Sequence, residues 1–173
     1  KNRRSKKPSM KNANTHAHLK HSVSSELPTT ITRTPFYFGP EQAPLFAWCH
    51  TSTNTRPNGI GMVICPPIGH EQIHSHRSLR QLADQFAAEG ITAVRINYHG
   101  TGDSAGVDED ENRIPAWTDS IEYAMEVLKT QYHCGELGLV GLRIGATLAA
   151  MLAEKIALAC LVVWAPCEQG RHY

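Results

Sequence analysis

The sequence predicts a doubly wound α/β fold, in which a mostly parallel sheet is covered by helices on both faces. After residue 60, short apolar runs of strand length alternate with segments whose apolar residues have helical spacing. The runs are largely apolar rather than alternating, which is typical of parallel strands buried on both sides. Two earlier segments, residues 36–38 and 45–50, flank Gly39-Pro40 and predict an antiparallel hairpin.

The alternating part contains four predicted strands and three predicted helices. The strands are residues 61–65, 91–98, 137–140 and 158–164, and the helices are residues 76–89, 115–132 and a segment that begins at residue 144. Pro66 ends the first of these strands, Gly90 is placed to cap the first helix, and Pro115 suits the first turn of the second. We expect right-handed crossovers between the parallel strands.

Charge divides the 173 residues into a basic tail and a mildly acidic domain. Residues 1–34 hold eight of the 17 Lys and Arg residues and one of the 16 Asp and Glu residues. Residues 35–173 therefore hold nine basic and fifteen acidic residues. The tail is polar and lacks an apolar period, so we expect it to be disordered. A solvated tail and a tail that binds anionic lipid or nucleic acid are both open. No aromatic residue is interleaved with the basic ones, so nucleic-acid binding is the less expected of these.

Cysteine use and hydropathy predict a cytoplasmic protein without a metal or a cofactor. The five cysteines form no C-x-x-C pair, which is typical of free thiols in a reducing compartment. The longest apolar run, residues 156–165, is about half of the ~20 residues that span a membrane. The basic N-terminus lacks the apolar core of a secretory signal. Gly100-Thr101-Gly102 lacks the third glycine of a dinucleotide-binding loop and leads into four acids, so no nucleotide is expected.

The most informative stretch is a strand, a glycine-flanked turn and a helix at residues 136–153. Apolar residues at a spacing of four follow the turn, at positions 144, 148, 152 and 156. The turn G-L-R-I-G has the spacing of a nucleophile elbow, G-x-S-x-G, in which the middle residue is exposed above the sheet. The middle residue here is Arg143, whose guanidinium stays protonated and has no free lone pair with which to attack a carbonyl.

Together with the elbow, two loop motifs make the chain resemble the α/β-hydrolase superfamily over about residues 36–173. They are P-P-I-G-H-E at residues 66–71 and N-Y-H-G-T-G-D-S at residues 97–104. The resemblance implies hydrolysis of esters, thioesters or amides. The arginine in the elbow is similar to a branch of serine-aminopeptidase-like and exosortase-associated hydrolase-like proteins.

Two departures from the family pattern concern catalysis. Arg143 replaces the family's serine. The family's acid and histidine follow the sixth strand, where this sequence has only His172, too close to the strand to take that place. We therefore expect a hydrolase-like domain cut short after its sixth strand, and we expect this chain alone to be inactive. The last strand would then lack a neighbour, and an unpaired apolar edge predicts self-association.

The resemblance also implies two backbone donors that form an oxyanion hole. One is the N–H of Ile144, directly after the tip of the elbow. The two prolines that follow the third strand have no N–H, so the other donor is expected at Ile68 or Gly69. The positive charge of Arg143 at the same place predicts a pocket for a carboxylate, a phosphate or an acyl oxygen. In the alternative, Arg143 pairs with an acid and closes a vestigial site.

Other polar residues at the same edge have two interpretations each. His70 and His99 follow the third and fourth strands, where they could act as acid or base, or they are hydrogen-bonded loop residues. Ser104 fits a structural turn better than a displaced nucleophile, and Cys65 fits the core. For the pairing of Arg143, candidate acids are Asp103 and Glu71.

Two functional classes follow from these alternatives. The first is an α/β-hydrolase-like enzyme whose nucleophile position has changed. The second is a non-catalytic pseudo-hydrolase that binds a small acyl or anionic ligand.

Overall fold

The structure is a computed structural model that describes residues 30–107 and 109–167. Most of the predicted tail, and His172, lie outside these residues. The disordered tail and its interactions therefore stay predictions.

Six strands and three helices make up the described chain. In chain order they are β1 (Ile31–Phe38), β2 (Leu45–Ser52), β3 (Ile60–Cys65), α1 (Gly69–Ala88), β4 (Thr92–Ile96), α2 (Arg113–Thr130), β5 (Glu136–Leu142), α3 (Ile144–Ala153) and β6 (Cys160–Trp164).

The strands form one sheet in the order β1-β2-β4-β3-β5-β6. β1 and β4 each run antiparallel to β2, whereas β4, β3, β5 and β6 run parallel to one another. This arrangement confirms the predicted doubly wound sheet with an antiparallel hairpin before it. Because the central strands are parallel, their carboxyl ends meet at one edge, where sites form in open α/β sheets.

Helices cover both faces of the sheet centre. On one face, Leu79 and Ala83 of α1 pack against Ile64 and Ala93. On the other face, α2 and α3 pack against neighbours such as Val63, which is fully buried. Side chains one position apart in a strand point to opposite faces, so β3 contributes side chains to the core on each face of the sheet. Each fully buried Leu, Ile or Val contributes about 1.5–3 kcal/mol to folding.

Two predicted boundaries are wrong, both in segments without apolar periodicity. β1 begins at Ile31, so residues 31–34 belong to the sheet, and the domain starts before residue 35. Their side chains are mostly exposed on an edge strand, which leaves no apolar pattern to detect. α1 begins at Gly69 rather than at residue 76, because its first two turns are polar and largely exposed although the backbone is helical.

β6 is the outer strand next to β5 and is partly exposed along its whole length. Leu161, Val162, Val163 and Trp164 are 38–54% exposed. Because successive side chains point to opposite faces, the described residues leave both faces of β6 incompletely covered. Self-association through this strand stays a prediction. Among the described residues, no helix is both long enough and apolar enough to span a membrane.

Candidate functional site

The predicted elbow is present between β5 and α3, and Arg143 is at its tip. Its backbone has φ 58° and ψ −121°, in a region that residues with a side chain rarely occupy. Such a conformation costs about 1–3 kcal/mol and persists only where the surrounding structure enforces it. The Arg143 N–H donates to the carbonyl of Trp164 at 3.0 Å, which ties the tip to β6.

The two flanking glycines are required by close backbone packing. A side chain on Gly141 would overlap the backbone of Ala146. A side chain on Gly145 would overlap the carbonyls of Cys65 and Pro66. The start of α3 is therefore pressed against the loop that joins β3 to α1. The G-x-x-x-G spacing brings together the two segments expected to supply the oxyanion donors.

The guanidinium of Arg143 is paired with a carboxylate. Its Nε donates to Oε1 of Glu71 at 2.9 Å, and its Nη1 donates to the carbonyl of Ala165 at 3.3 Å. Glu71 lies in the first turn of α1. The side chain of Glu71 is 42% exposed, and the side chain of Arg143 is 38% exposed. Of the two acids considered from the sequence, Glu71 is thus a partner of Arg143, whereas Asp103 lies beside a cavity between α1 and β2.

The predicted backbone donors lie at the starts of two helices. Ile68 is the residue before α1, Gly69 is the first residue of that helix, and Ile144 is the first residue of α3. The N–H groups of a first helical turn have no acceptor within the helix, and they carry partial positive charge. Tyr98 holds the intervening loop by donating from its hydroxyl to the carbonyl of Pro66 at 3.0 Å.

The structure separates the two candidate histidines. His70 is exposed in the first turn of α1. His99 is fixed in the loop after β4: its Nε2 lies 3.0 Å from Oδ2 of Asp110, its N–H donates to Ser120, and its carbonyl accepts from Trp117. The pKa of Asp110 is lowered by a hydrogen bond from the Val107 backbone and by His99. His99 is thus hydrogen-bonded within its loop, and a role as acid or base stays a prediction.

Ser104 and Cys65 have structural positions. The Ser104 hydroxyl donates to the carbonyl of Asn97 at 2.8 Å and accepts from the N–H of Phe46 at 2.9 Å, so it closes a turn. Cys65 is fully buried, and burial raises the pKa of its thiol far above its usual range. The described residues contain no cluster of His, Cys, Asp or Glu that could hold a metal ion.

A second polar cluster, between β2, α1 and β4, was not predicted. It contains His50, Asp84, Arg95 and Arg33, which are joined by hydrogen bonds of 2.8–3.1 Å. The signal in the sequence was a single charge, Arg95, inside a strand that is otherwise largely apolar. A cation inside an apolar strand needs polar partners, and the sequence pattern did not identify which residues those partners are.

No protein-family model matches the sequence, and no curated protein sequence matches it. Several solved structures are similar in fold. An α/β serine hydrolase homologue from Coxiella burnetii has a TM-score of 0.62 at 19% identity, covering 74% of this chain and 60% of that protein. A serine hydrolase without a lid from Xanthomonas campestris has a TM-score of 0.58 at 21% identity, and the match covers 70% of this chain and 57% of that protein.

An esterase from Pyrococcus furiosus is also similar in fold, with a TM-score of 0.62 at 17% identity. The match covers 79% of this chain and 50% of the esterase. This chain thus matches only 50–60% of the length of these three proteins. The particular branch with an arginine elbow stays a prediction. With the six-stranded, mostly parallel sheet described above, the similarity to these structures gives one conclusion: the described part of this chain has the α/β-hydrolase fold.

Proposed function

We propose that this chain is a non-catalytic α/β-hydrolase-fold protein that binds a small carboxylate at its elbow. The observation that carries the proposal is the position of Arg143. A guanidinium occupies the tip where the fold exposes a side chain, and a carboxylate, that of Glu71, already lies against it at 2.9 Å. Glu71 thus stands where the carboxylate of a ligand would bind.

The energetics support exchange between Glu71 and a ligand. Both members of the pair are about two-fifths exposed. An exposed ion pair stabilises a protein by only about 0.2–1 kcal/mol. A ligand carboxylate can form a bidentate pair with the guanidinium and reach the N–H groups at the starts of α1 and α3. Displacing Glu71 therefore costs little, and these new contacts can offset that cost.

The chemistry of the neighbouring side chains supports a binding role over catalysis. Arg143 cannot act as a nucleophile. The Ser104 hydroxyl is engaged in a turn, and the Cys65 thiol is buried and protonated.

A second candidate function is favoured by the preserved elbow and by the names of the similar structures. Those proteins are described as a serine hydrolase homologue, a serine hydrolase and an esterase. In this alternative the chain supplies the oxyanion donors of an ester, thioester or amide hydrolase, and Arg143 holds the acyl or acid group of the substrate.

Calorimetric titration of the 173-residue chain with butyrate tests the proposal. A charge-assisted hydrogen bond contributes about 1.5–3 kcal/mol, so Arg143→Ala should weaken binding roughly ten- to a hundredfold. Arg143→Lys should restore part of the affinity, because lysine keeps the charge but loses the fork. Arg77→Ala, which removes an exposed charge from α1, is the matched control and should bind like the native chain. Equal binding by native and Arg143→Ala chains would exclude the proposal.

A further inference from the structure

A cavity of about 450 Å³ lies between α1 and strands β2 and β4. Its volume is within the usual range of small-molecule sites. Its lining is mixed: apolar side chains lie beside the polar side chains of Gln72, His76, Asn97, Asp103 and Arg95. The lining includes Phe46, Trp48, Ile73, Leu79, Ile96 and Arg95.

Arg95 is held in a fixed orientation by a chain of hydrogen bonds. Its Nε donates to Nε2 of His50 at 3.1 Å. Because Nε2 accepts this bond, His50 carries its proton on Nδ1, which donates to Oδ1 of Asp84 at 2.8 Å. Asp84 also accepts two bonds of 2.8 Å from Arg33. Since His50 is fully buried, this chain leaves Arg95 little freedom to turn away from the cavity.

The guanidinium of Arg95 has donors left for a ligand. Arginine has five N–H donors, and His50 takes the one on Nε, which leaves the four terminal donors on a residue that lines the cavity. Burial lowers the pKa of Arg95 to about 10, and Arg80 and Arg33 act in the same direction while Asp84 opposes them. Arg95 is still charged at neutral pH, and a partly desolvated cation of this kind gains from a bound anion.

We propose that this cavity binds a monocarboxylate with an apolar body larger than that of butyrate, a medium-chain or aromatic acid, whose carboxylate pairs with Arg95. The apolar walls match a hydrocarbon chain or an aromatic ring, and the planar guanidinium matches a carboxylate in a bidentate pair. One negative charge complements the partly buried cation of Arg95. Asp103, which also lines the cavity, disfavours a ligand of higher negative charge. This site is separate from the elbow and does not depend on the proposed function.

Titration with octanoate, in the Arg143→Ala background, tests this second site. That background removes the elbow site, so the binding that remains reports the cavity. We expect saturable octanoate binding, and at least tenfold weaker binding after Arg95→Gln. Octanol, which has the same chain without the charge, should bind equally to both chains. An absence of octanoate binding at millimolar concentration would overturn the proposal.

A second variant keeps the test informative if Arg95→Gln fails to fold. Ile73 lines the cavity and is 71% exposed, so Ile73→Glu should fold while placing a negative charge at the cavity. It should weaken octanoate binding severalfold in the same background. Ile114→Glu, a matched change at an exposed position of α2, should leave octanoate binding unchanged. Equal octanoate affinities for the Ile73→Glu and Ile114→Glu chains would contradict a site at this cavity.

Discussion

Nε of Arg143 lies 2.9 Å from Oε1 of Glu71, a residue 72 positions earlier in the chain. The pair joins the elbow after β5 to the first turn of α1. It therefore spans the place where this fold brings together two helix N-termini. In this protein a carboxylate is already bound at that place, and it belongs to the chain itself.

We expect no esterase activity through the elbow of this chain. Arg143→Ser would restore a hydroxyl at the tip, but we expect no base to be positioned to activate it, since His50 is fully buried and His99 is held in the loop after β4 by Asp110, Ser120 and Trp117. The measurement is turnover of p-nitrophenyl acetate by the native, Arg143→Ser and Arg143→Ala chains. All three should match the rate in buffer. Turnover by the native chain that Arg143→Ala abolishes would show that the elbow is catalytic.

Two N-terminal deletions should differ sharply in stability. Removing residues 1–29 should change the melting temperature by less than about 3 °C, since this segment shows no apolar period. Removing residues 1–34 also deletes half of β1 and Arg33, which makes two hydrogen bonds to Asp84, and should lower the melting temperature by more than about 5 °C. Thermal unfolding of both chains gives the comparison. Equal midpoints would mean that residues 31–34 contribute nothing to the sheet.

Acidification should destabilise the fold below pH 6.5, partly through His50. Burial lowers the pKa of His50 from its usual 6.5, and the hydrogen bond to Asp84 only partly offsets this effect. The unfolded chain therefore takes up a proton that the folded chain does not. The stabilisation is complete above about pH 6.5 and falls as the pH drops, by up to about 1.4 kcal/mol per pH unit for each such histidine.

Urea unfolding of the native and His50→Gln chains at pH 7.5, 6.5 and 5.5 measures this effect. The variant should lose less free energy of unfolding on acidification than the native chain. Its remaining dependence should include His76, whose pKa is lowered by burial and by Arg95 and Arg80. The same pH dependence in both chains would contradict the role of His50.

The exposed edge strand should promote self-association. β6 presents four consecutive large apolar residues, and an apolar edge strand invites pairing with another chain. Val162→Lys should shift the chain toward the monomer in size-exclusion chromatography at micromolar concentration. Ile114→Lys makes the same change of charge on exposed α2 and should not. A native chain that is already monomeric would refute the prediction.

The order of the elements could be predicted from the sequence, because buried strands and amphipathic helices have distinct apolar patterns. The elbow could be predicted as well, since Gly141 and Gly145, which close backbone packing requires, follow an apolar strand and precede a helix at the spacing of this turn. The first residues of β1 and of α1 could not be predicted, because their side chains are mostly exposed and show no apolar periodicity. The pairing of Arg143 with Glu71 was one of two open choices, which only the position of α1 could decide.

The cluster around His50 could not be predicted for a different reason. Its four members come from β1, β2, α1 and β4, and only Arg95, a charge inside an apolar strand, differs in the sequence from an ordinary surface residue. Their relationship follows from the antiparallel pairing of β2 with β4, in which Arg95 lies opposite Trp48 and His50 is two residues further along β2, on the same face of the sheet. It also follows from the packing of α1 over these two strands.

The most direct test of the central claim is the effect of Glu71→Gln on butyrate binding. If Glu71 occupies the position of a ligand carboxylate, its neutral isostere no longer competes as an anion for Arg143. The native pair contributes at most about 1 kcal/mol, so the variant should bind butyrate up to about fivefold more tightly than the native chain. Combining Glu71→Gln with Arg143→Ala should abolish the gain. Butyrate binding that is unchanged or weaker in Glu71→Gln would contradict the claim that Arg143 is a carboxylate site.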